Sequence, residues 1–545
     1  MSPEAQHDGL RLTAPKQVQA ESFAPDADQQ RVLDLVPGHG AVLVLGGPGT
    51  GRSTLAVEYA ARRIEAGLDP SRLLVLAPTR QASARLRDAL SVRLDQAGRG
   101  TRAATPVRTW AAYAFDLIRR ARTAGFLPTV ERTPRLLSGA EQDTVIAELL
   151  ESYATGERGG PDWPEDLSEA VATRGFRKEV RELIDRTSEY GIEPGQLEDL
   201  GEQHRRPEWT AAAVLLQDYR DRLDLGMSEA FDPAGLITTA SRLLEDVPEL
   251  LDAERENLPV LVIDDLQEAT PAVHRLIRVL GTGQDVLATA SPDTVVQGFR
   301  GARPDLVRDY PECLATAQRP GRTLTLTTGH RMGGGVLAAW QRVARRVPAL
   351  PGTLALRREL LPSPQEPGPE PAPEAQAAAH VVASPPHEQL LVLQQLLHLH
   401  HRGGVPLGNM AVIARSGPLV AELGRYLEAE GIPVNRSVTD TVLKTEPAVT
   451  PLLSLLRTVS TPVGEPDSVM DLDRALWLAG GSYGGATALH LRQLRQRLLQ
   501  EERAAGGTRS STELLLQAFE DPEALTDHPV PGAGVLRLAR MVSAG

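Results

Sequence analysis
The stretch that most limits what this chain can fold into is Gly46-Gly47-Pro48-Gly49-Thr50-Gly51-Arg52-Ser53. It follows the apolar run Val42-Leu43-Val44-Leu45 and leads into a helical pattern. A strand, a glycine-rich turn and a helix in that order gather backbone amides and a helix N-terminus around one point, which is a cradle for phosphate. A glycine turn with a purely structural role is the competing reading. The sequence therefore predicts an ATP-type site in which Gly47, Gly49, Thr50, Gly51 and Thr54 line the loop. Ser53 offers its hydroxyl to Mg²⁺, a cation that prefers hard oxygen. Arg52 stands at the usual lysine position; it keeps the charge, but a planar guanidinium does not simply replace a compact ammonium.

A second acidic element follows another buried run, Val260-Leu261-Val262-Ile263, and reads Asp264-Asp265-Leu266-Gln267-Glu268. Asp264 is expected to hold Mg²⁺, directly or through water, and Asp265 to orient the attacking water. An aspartate is one methylene shorter than the glutamate expected there, and an error of about 1 Å costs orders of magnitude in positioning-dependent chemistry. Two aspartates alone would as easily be a solvated strand end; the upstream phosphate loop favours the metal reading.

The rest of the chain has an α/β rhythm. Leu73–Ala77 and Asp285–Thr289 read as further strands, and a mostly helical stretch runs from about Trp110 to Leu244. This predicts a first α/β domain at 1–108 plus 240–320, interrupted by a helical insertion at 109–239. A second α/β region is expected at 321–442, with a Pro/Glu/Ala-rich connector from Pro362 to Ala379. Its strands are expected at His380–Ala383 and Met410–Ala414, and its helix at Glu388–Leu399. A helical portion at 443–545 should contain Leu452–Val459 and Ala475–Gln500; the residues before about Ala20 read as polar and loose. The formal charge of −13 excludes a generally basic binder but not a local basic groove. Aromatics at 4% leave few stacking platforms. The single cysteine, Cys313, excludes a disulfide framework and multi-cysteine metal sites, and is expected to be buried. With no long apolar span or secretory segment, the expectation is a cytoplasmic protein without a membrane partner. The arginines between Leu491 and Arg497 read as solvated charge in preference to a phosphate contact.

Further segments give the pattern its specificity. Asp26-Ala27-Asp28-Gln29-Gln30-Arg31 precedes the phosphate loop, and Leu76-Ala77-Pro78-Thr79-Arg80 and Val107-Arg108-Thr109-Trp110 follow it. Later come Ser291-Pro292-Asp293-Thr294-Val295-Val296-Gln297-Gly298-Phe299-Arg300-Gly301-Ala302, then Leu326-Thr327-Thr328-Gly329-His330-Arg331, then Gly431-Ile432-Pro433. Taken in order, these resemble the UvrD/Rep-type superfamily 1 DNA helicases. Within that group they are similar to the motor region of actinobacterial helicase–nucleases of the AdnA/AdnB kind. The resemblance implies a P-loop RecA-like superfamily 1 core of α/β class, with a helical 1B and a partial 2B insertion. It implies adenine recognition by Gln29, with His330 at the base and Arg331 reaching the γ-phosphate. It gives Gln267 a relay role and makes Thr79, Thr109 and Phe299 contacts to single-stranded DNA. Pro78 and Gln297 stand where aromatics are usual, and Thr294 where a coupling glutamine is usual. The implied activity is ATP-driven 3′-to-5′ movement on single-stranded or end-containing duplex DNA in repair or recombination, beside a second motor subunit. A catalytically weakened or regulatory DNA-binding subunit is the alternative that Arg52, Asp265 and Thr294 support. The family's return from 2B is not recognisable before Gly545, so a C-terminally incomplete motor is expected.

Overall fold
The computed structural model describes residues 23–96, 106–127, 135–226, 230–348, 358–362, 377–435, 449–460, 472–481, 483–520, 525 and 532–543. The chain divides into two compact units, 1–378 and 379–545.

The first unit is organised by its strands: β1 Ala41–Gly46, β2 Leu73–Ala77, β3 Val107–Thr109, β4 Arg135–Leu136, β5 Ala230–Phe231, β6 Val260–Ile263, β7 Asp285–Ala290, β8 Arg322–Leu326, β9 Thr328–Gly329 and β10 Leu361–Pro362. Six of them form one parallel sheet in the order β3-β2-β6-β7-β1-β8. The helices are α1 Ala27–Leu33, α2 Arg52–Glu65, α3 Arg80–Gln96, α4 Trp110–Thr123, α5 Gly139–Ala154, α6 Arg174–Tyr190, α7 Pro194–His204, α8 Pro207–Gly226, α9 Pro233–Asp246, α10 Pro248–Asn257, α11 Pro271–Gly281, α12 Tyr310–Leu314 and α13 Gly334–Ala344. Side chains alternate across a strand, so the sheet feeds two cores. Leu43, Leu45, Leu74 and Leu76 pack on the side of α4, α9 and α11. Val42, Val44, Leu73 and Val75 pack on the side of α1, α2 and α3. Both faces are covered, which is why these strands read as unbroken apolar runs.

The inserted helices have a core of their own, running from Leu137 through Ile146, Val180 and Leu216 to Leu223. Trp110–Thr123 and Pro233–Asp246 lie outside that core. Their apolar stripes, including Trp110, Leu117, Leu236 and Leu244, pack on the sheet. The insertion is therefore narrower than 109–239. Its two flanking helices share a 3.6-residue pattern with the inserted ones, and only the packing partner separates them. Arg322–Leu326, expected in the second α/β region, pairs with β1 and closes the first sheet.

In the second unit, α14 Pro385–His401 and α15 Gly417–Ala429 enclose a small cluster of Leu393, Leu427 and Ile432. The Gly431-Ile432-Pro433 turn ends α15 with Gly431 at φ +82°, and Ile432 N–H donates to Leu427 O at 2.9 Å. The helices α16 Thr450–Ser460, α17 Leu472–Gly480, α18 Ala488–Ala504, α19 Ser511–Glu520 and α20 Ala533–Ser543 contribute to a separate cluster around Leu494, Leu515, Phe519 and Leu538. The expected continuous helix from Ala475 to Gln500 is broken after Gly480, where Gly485 turns the chain at φ +67°. The strands expected at His380–Ala383 and Met410–Ala414 do not form. Both runs are irregular, with Ile413 92% exposed, and no strand among the described residues of this unit lies beside them. A strand exists only through its ladder, which a short apolar run cannot supply alone. Most of the Pro/Glu/Ala-rich connector and the loose N-terminal residues lie outside the described residues. Cys313 is exposed, not buried: it falls on the outer side of α12, whose inward positions are Tyr310, Pro311 and Leu314.

Candidate nucleotide and DNA site
All six strands run the same way, so their C-terminal ends lie along one edge of the sheet, where α/β folds place their ligands. The phosphate loop leaves β1 there. Gly49 and Gly51 both sit at φ +80°, a conformation other L-residues avoid. A Cβ at Gly51 would stand 2.7 Å from Gln29 Nε2, and one at Gly49 would stand 2.9 Å from Arg331 Cβ. Thr50 Oγ1 donates to Gly47 O at 2.9 Å and braces the loop from inside. Gly51 caps α2, so Arg52, Ser53 and Thr54 form its first turn, with Ser53 and Thr54 exposed.

Ser53 and Asp264, far apart in sequence, meet: Ser53 Oγ donates to Asp264 Oδ2 at 2.7 Å. Thr289 Oγ1, from the neighbouring strand β7, donates to the other carboxylate oxygen at 2.6 Å. A hydroxyl and a carboxylate beside an amide-lined loop are the hard-oxygen pair Mg²⁺ uses when phosphate completes its shell. The residues thus fit the metal. Burial pushes the Asp264 carboxyl above its ordinary range, with the charge of Asp265 adding to the effect.

Asp265 adopts a left-handed backbone at φ +53°, uncommon for a residue other than glycine. This turns its carboxylate toward the loop, where it accepts from Gln267 Nε2 at 3.0 Å and from Arg52 Nη2 at 3.4 Å. Arg52 Nη1 also donates to Gly46 O and, at 3.1 Å, to Gly47 O, while its buried Nε has no partner among the described residues. Burial depresses the Arg52 pKa, opposed by the charges of Asp265 and Asp264. The guanidinium is therefore turned onto the loop's own carbonyls and the second aspartate.

The Gln29 end of the site is equally built. Gln29 closes a capping box with Asp26, donates to Thr50 O at 3.1 Å, and lies 3.4 Å from His330 Nε2. His330 Nε2 is 2.9 Å from Asp26 Oδ2, and its backbone N–H donates to Gly49 O at 2.9 Å. Asp28 Oδ2 accepts from both the backbone N–H and the hydroxyl of Thr327, at 2.9 and 2.5 Å. The segment ending in Arg331 is thereby clamped on α1 and the phosphate loop, with Arg331 exposed beside Gly49. Asp26, Asp28 and Thr289 were not expected in the site. The Asp26–Gln29 capping spacing was a visible signal; a threonine inside a strand gave none.

Of the expected DNA residues, Thr79 and Thr109 stand at the C-terminal ends of β2 and β3, and Phe299 lies in the segment that follows β7. Thr79 Oγ1 accepts from Ala82 N–H at 3.0 Å and Thr109 Oγ1 from Ala112 N–H at 3.2 Å, so each caps the helix after its strand. Their strands are neighbours. Phe299 is 77% exposed, with the Arg300 guanidinium 5.3 Å from its ring centre. Its loop is tied to the acidic element: Gln267 Oε1 accepts from Ser291 N–H at 2.8 Å, and Glu268 accepts from the N–H groups of Val296 and Gln297 at 3.0 and 2.8 Å. The inserted helix α6 also reaches it, Arg186 Nη2 donating to Phe299 O at 3.3 Å and Tyr190 OH accepting from Arg303 at 2.6 Å. Thr294 Oγ1 donates to Ser291 O at 3.1 Å, inside its own turn. In the second unit, Arg495 donates to Ser511 Oγ at 2.9 Å, while Arg492 and Arg497 are exposed.

A parallel sheet whose first strand ends in this loop, opposite a buried carboxylate from a non-adjacent strand, defines a RecA-like P-loop architecture. The chain belongs to the UvrD/REP helicase family: residues 26–312, more than half of the 545, match the UvrD/REP helicase N-terminal domain. It is thus a member of a family of ATP-dependent DNA helicases, in which the P-loop implies ATP binding. Over 201 residues it is 22% identical to an ATP-dependent helicase/nuclease protein of Lactococcus lactis subsp. lactis (strain IL1403), covering 36% of this chain and 16% of that one. It is 23% identical over 204 residues to the exonuclease/helicase protein RexA of Lactococcus lactis subsp. cremoris (strain MG1363), with 36% and 16% covered. Identity is 21% over 296 residues, 54% of this chain and 35% of the relative, to YjcD of Bacillus subtilis (strain 168), named as a candidate ATP-dependent DNA helicase. The chain thus spans about a sixth of the length of the Lactococcus relatives it matches. No helix among the described residues is long and apolar enough to cross a membrane.

Proposed function
We propose that the chain is an ATP-driven DNA motor or the motor part of a helicase–nuclease complex, moving 3′ to 5′ along single-stranded DNA from ends. The observation that carries this is the Ser53–Asp264 contact at 2.7 Å beside a glycine loop, with Thr79 and Thr109 at the ends of neighbouring strands of the same sheet. Gln29, Asp26 and His330 would hold the adenine, and the loop amides with Ser53 and Asp264 would hold phosphate and Mg²⁺. When bound, Mg²⁺ supplies charge neutralisation of the phosphates. Asp265 would orient the water and accept its proton, and Arg331 would meet phosphate charge as it develops. Thr79 and Thr109 would take backbone phosphates, while Phe299 stacks on a base. The first α/β region, built on the six-stranded sheet, and the region that follows it would alternate their grip on the strand. The similarity to helicase/nuclease proteins that are named as subunits supports a partner motor, and the sequence motifs favour the AdnA/AdnB kind among such systems.

A second reading is a weakened or regulatory motor protein, favoured by one observation. Arg52 is spent on Gly46, Gly47 and Asp265, so both it and the shorter acid must reorganise before acting on phosphate. Binding needs only ground-state contacts, whereas turnover needs those of the transition state. Nucleotide affinity, single-turnover ATP hydrolysis with and without single-stranded DNA, and strand separation on one preparation test both readings. DNA-stimulated turnover with 3′-to-5′ unwinding supports the first, and tight ATP–Mg²⁺ binding with little turnover supports the second. Absence of nucleotide and DNA binding overturns both.

A further inference from the structure
The loop that presents Phe299 carries a contact that the motor reading leaves unused. Asp293 lies at the start of this loop, six residues before Phe299, and is bound in a two-pronged ion pair by Arg358. Arg358 Nε reaches Asp293 Oδ2 at 3.1 Å and Nη2 reaches Oδ1 at 2.5 Å. The side chains are only 9% and 8% exposed, so little of the pair's surface meets solvent. A guanidinium–carboxylate fork fixes direction as well as distance, unlike a surface ion pair. Arg358 is anchored at its third nitrogen too, Nη1 donating to Val347 O at 3.0 Å beyond the end of α13.

What lies on the other side of Arg358 gives the pair its meaning. Three residues later the chain forms β10, which pairs with β9, and Leu361 N–H donates to Thr327 O at 2.8 Å. β9 runs directly into His330 and Arg331, and His330 N–H is bonded to Gly49 O of the phosphate loop. Thr294, at the expected coupling position, spends its hydroxyl on Ser291 O. We propose that the Asp293–Arg358 fork takes over that coupling. It would hold the Phe299 loop in register with the segment on the phosphate loop, so that a shift at Gly49 and Arg331 alters the grip on DNA. Both are positioning residues, and the inference rests on the motor reading.

The test uses the full chain, a fluorescent oligothymidylate and a non-hydrolysable ATP analogue with Mg²⁺. DNA affinity is measured with and without the analogue for wild type, Asp293→Asn and Arg358→Lys. The lysine variant keeps the buried charge but loses the fork. The analogue should change wild-type DNA affinity by about 5-fold or more, and by less than about 2-fold in each variant. Each ligand's affinity alone should stay near wild type, with circular dichroism and thermal unfolding reporting the fold. Variants that keep the wild-type coupling overturn the inference. So do variants that lose single-ligand affinity together with coupling, because the pair is then a structural brace. A wild type that binds neither ligand sinks the motor reading instead.

Discussion

Protonating His39 should loosen the strand that carries the phosphate loop, and His39→Gln isolates that effect. His39 sits just before β1, buried, with Nε2 2.6 Å from the Tyr59 hydroxyl. That hydroxyl already accepts from Arg63 Nε and Nη2 at 3.0 and 2.9 Å, so its own proton is the one left to give His39. A protonated ring would face a spent acceptor and the Arg63 cation. Burial, reinforced by Arg63 and opposed by Asp285, pulls the His39 pKa down to about 4 from 6.5. As pH falls below 6.5 the unfolded chain therefore takes up a proton before the folded one. The stability contribution is complete above pH 6.5 and is lost between 6.5 and about 4. At pH 5 the loss is about 2 kcal/mol, approaching about 3 kcal/mol when the folded form also titrates. Glutamine can accept from Tyr59 but does not titrate. Urea unfolding at pH 7.5 and 5.0 should show wild type losing about 2 kcal/mol more than the variant. Asp185, pushed up to about 6 by burial and by Asp232, has the opposite sign, its contribution falling as pH rises from 3.8 to 6. It is present in both proteins and cancels in the difference. Equal losses in the two proteins would refute the account of His39.

Phe299→Ala should weaken single-stranded DNA binding by about 5- to 150-fold, from a stacking loss of about 1–3 kcal/mol per base, with nucleotide affinity unchanged. Fluorescence anisotropy over several salt concentrations checks it, and the salt slope should persist because phosphate contacts remain. Gly51→Ala combines a left-handed backbone with a Cβ 2.7 Å from Gln29 Nε2, and should cut ATP affinity more than 10-fold by calorimetry, about 1.4 kcal/mol or more. Cys313, exposed on α12, should react with a thiol reagent in native buffer at one equivalent per chain; labelling only in denaturant would contradict its placement.

The local elements of the first domain were determined by the sequence itself. Glycines at 46, 47, 49 and 51 between an apolar run and a helical pattern read as a tight turn suited to phosphate, and Val260–Ile263 before Asp264 reads as a strand because both its faces are buried. These are short-range constraints of backbone sterics and side-chain periodicity, which a sequence carries openly. Tertiary structure decided what depends on a partner distant along the chain. Trp110–Thr123 and Pro233–Asp246 have the same helical period as the inserted helices, and only packing assigns them to the sheet. Val381 and Ile413 lie in strand-like runs but find no ladder among the described residues of their unit. Arg52 could be placed at the phosphate loop from its position alone, yet its turn toward Gly46, Gly47 and Asp265 depends on where Asp265's left-handed backbone aims a carboxylate. The Asp293–Arg358 fork joins residues 65 positions apart, and neither residue type announces the other. A buried ion pair is a property of two surfaces brought together, and no local pattern encodes that meeting.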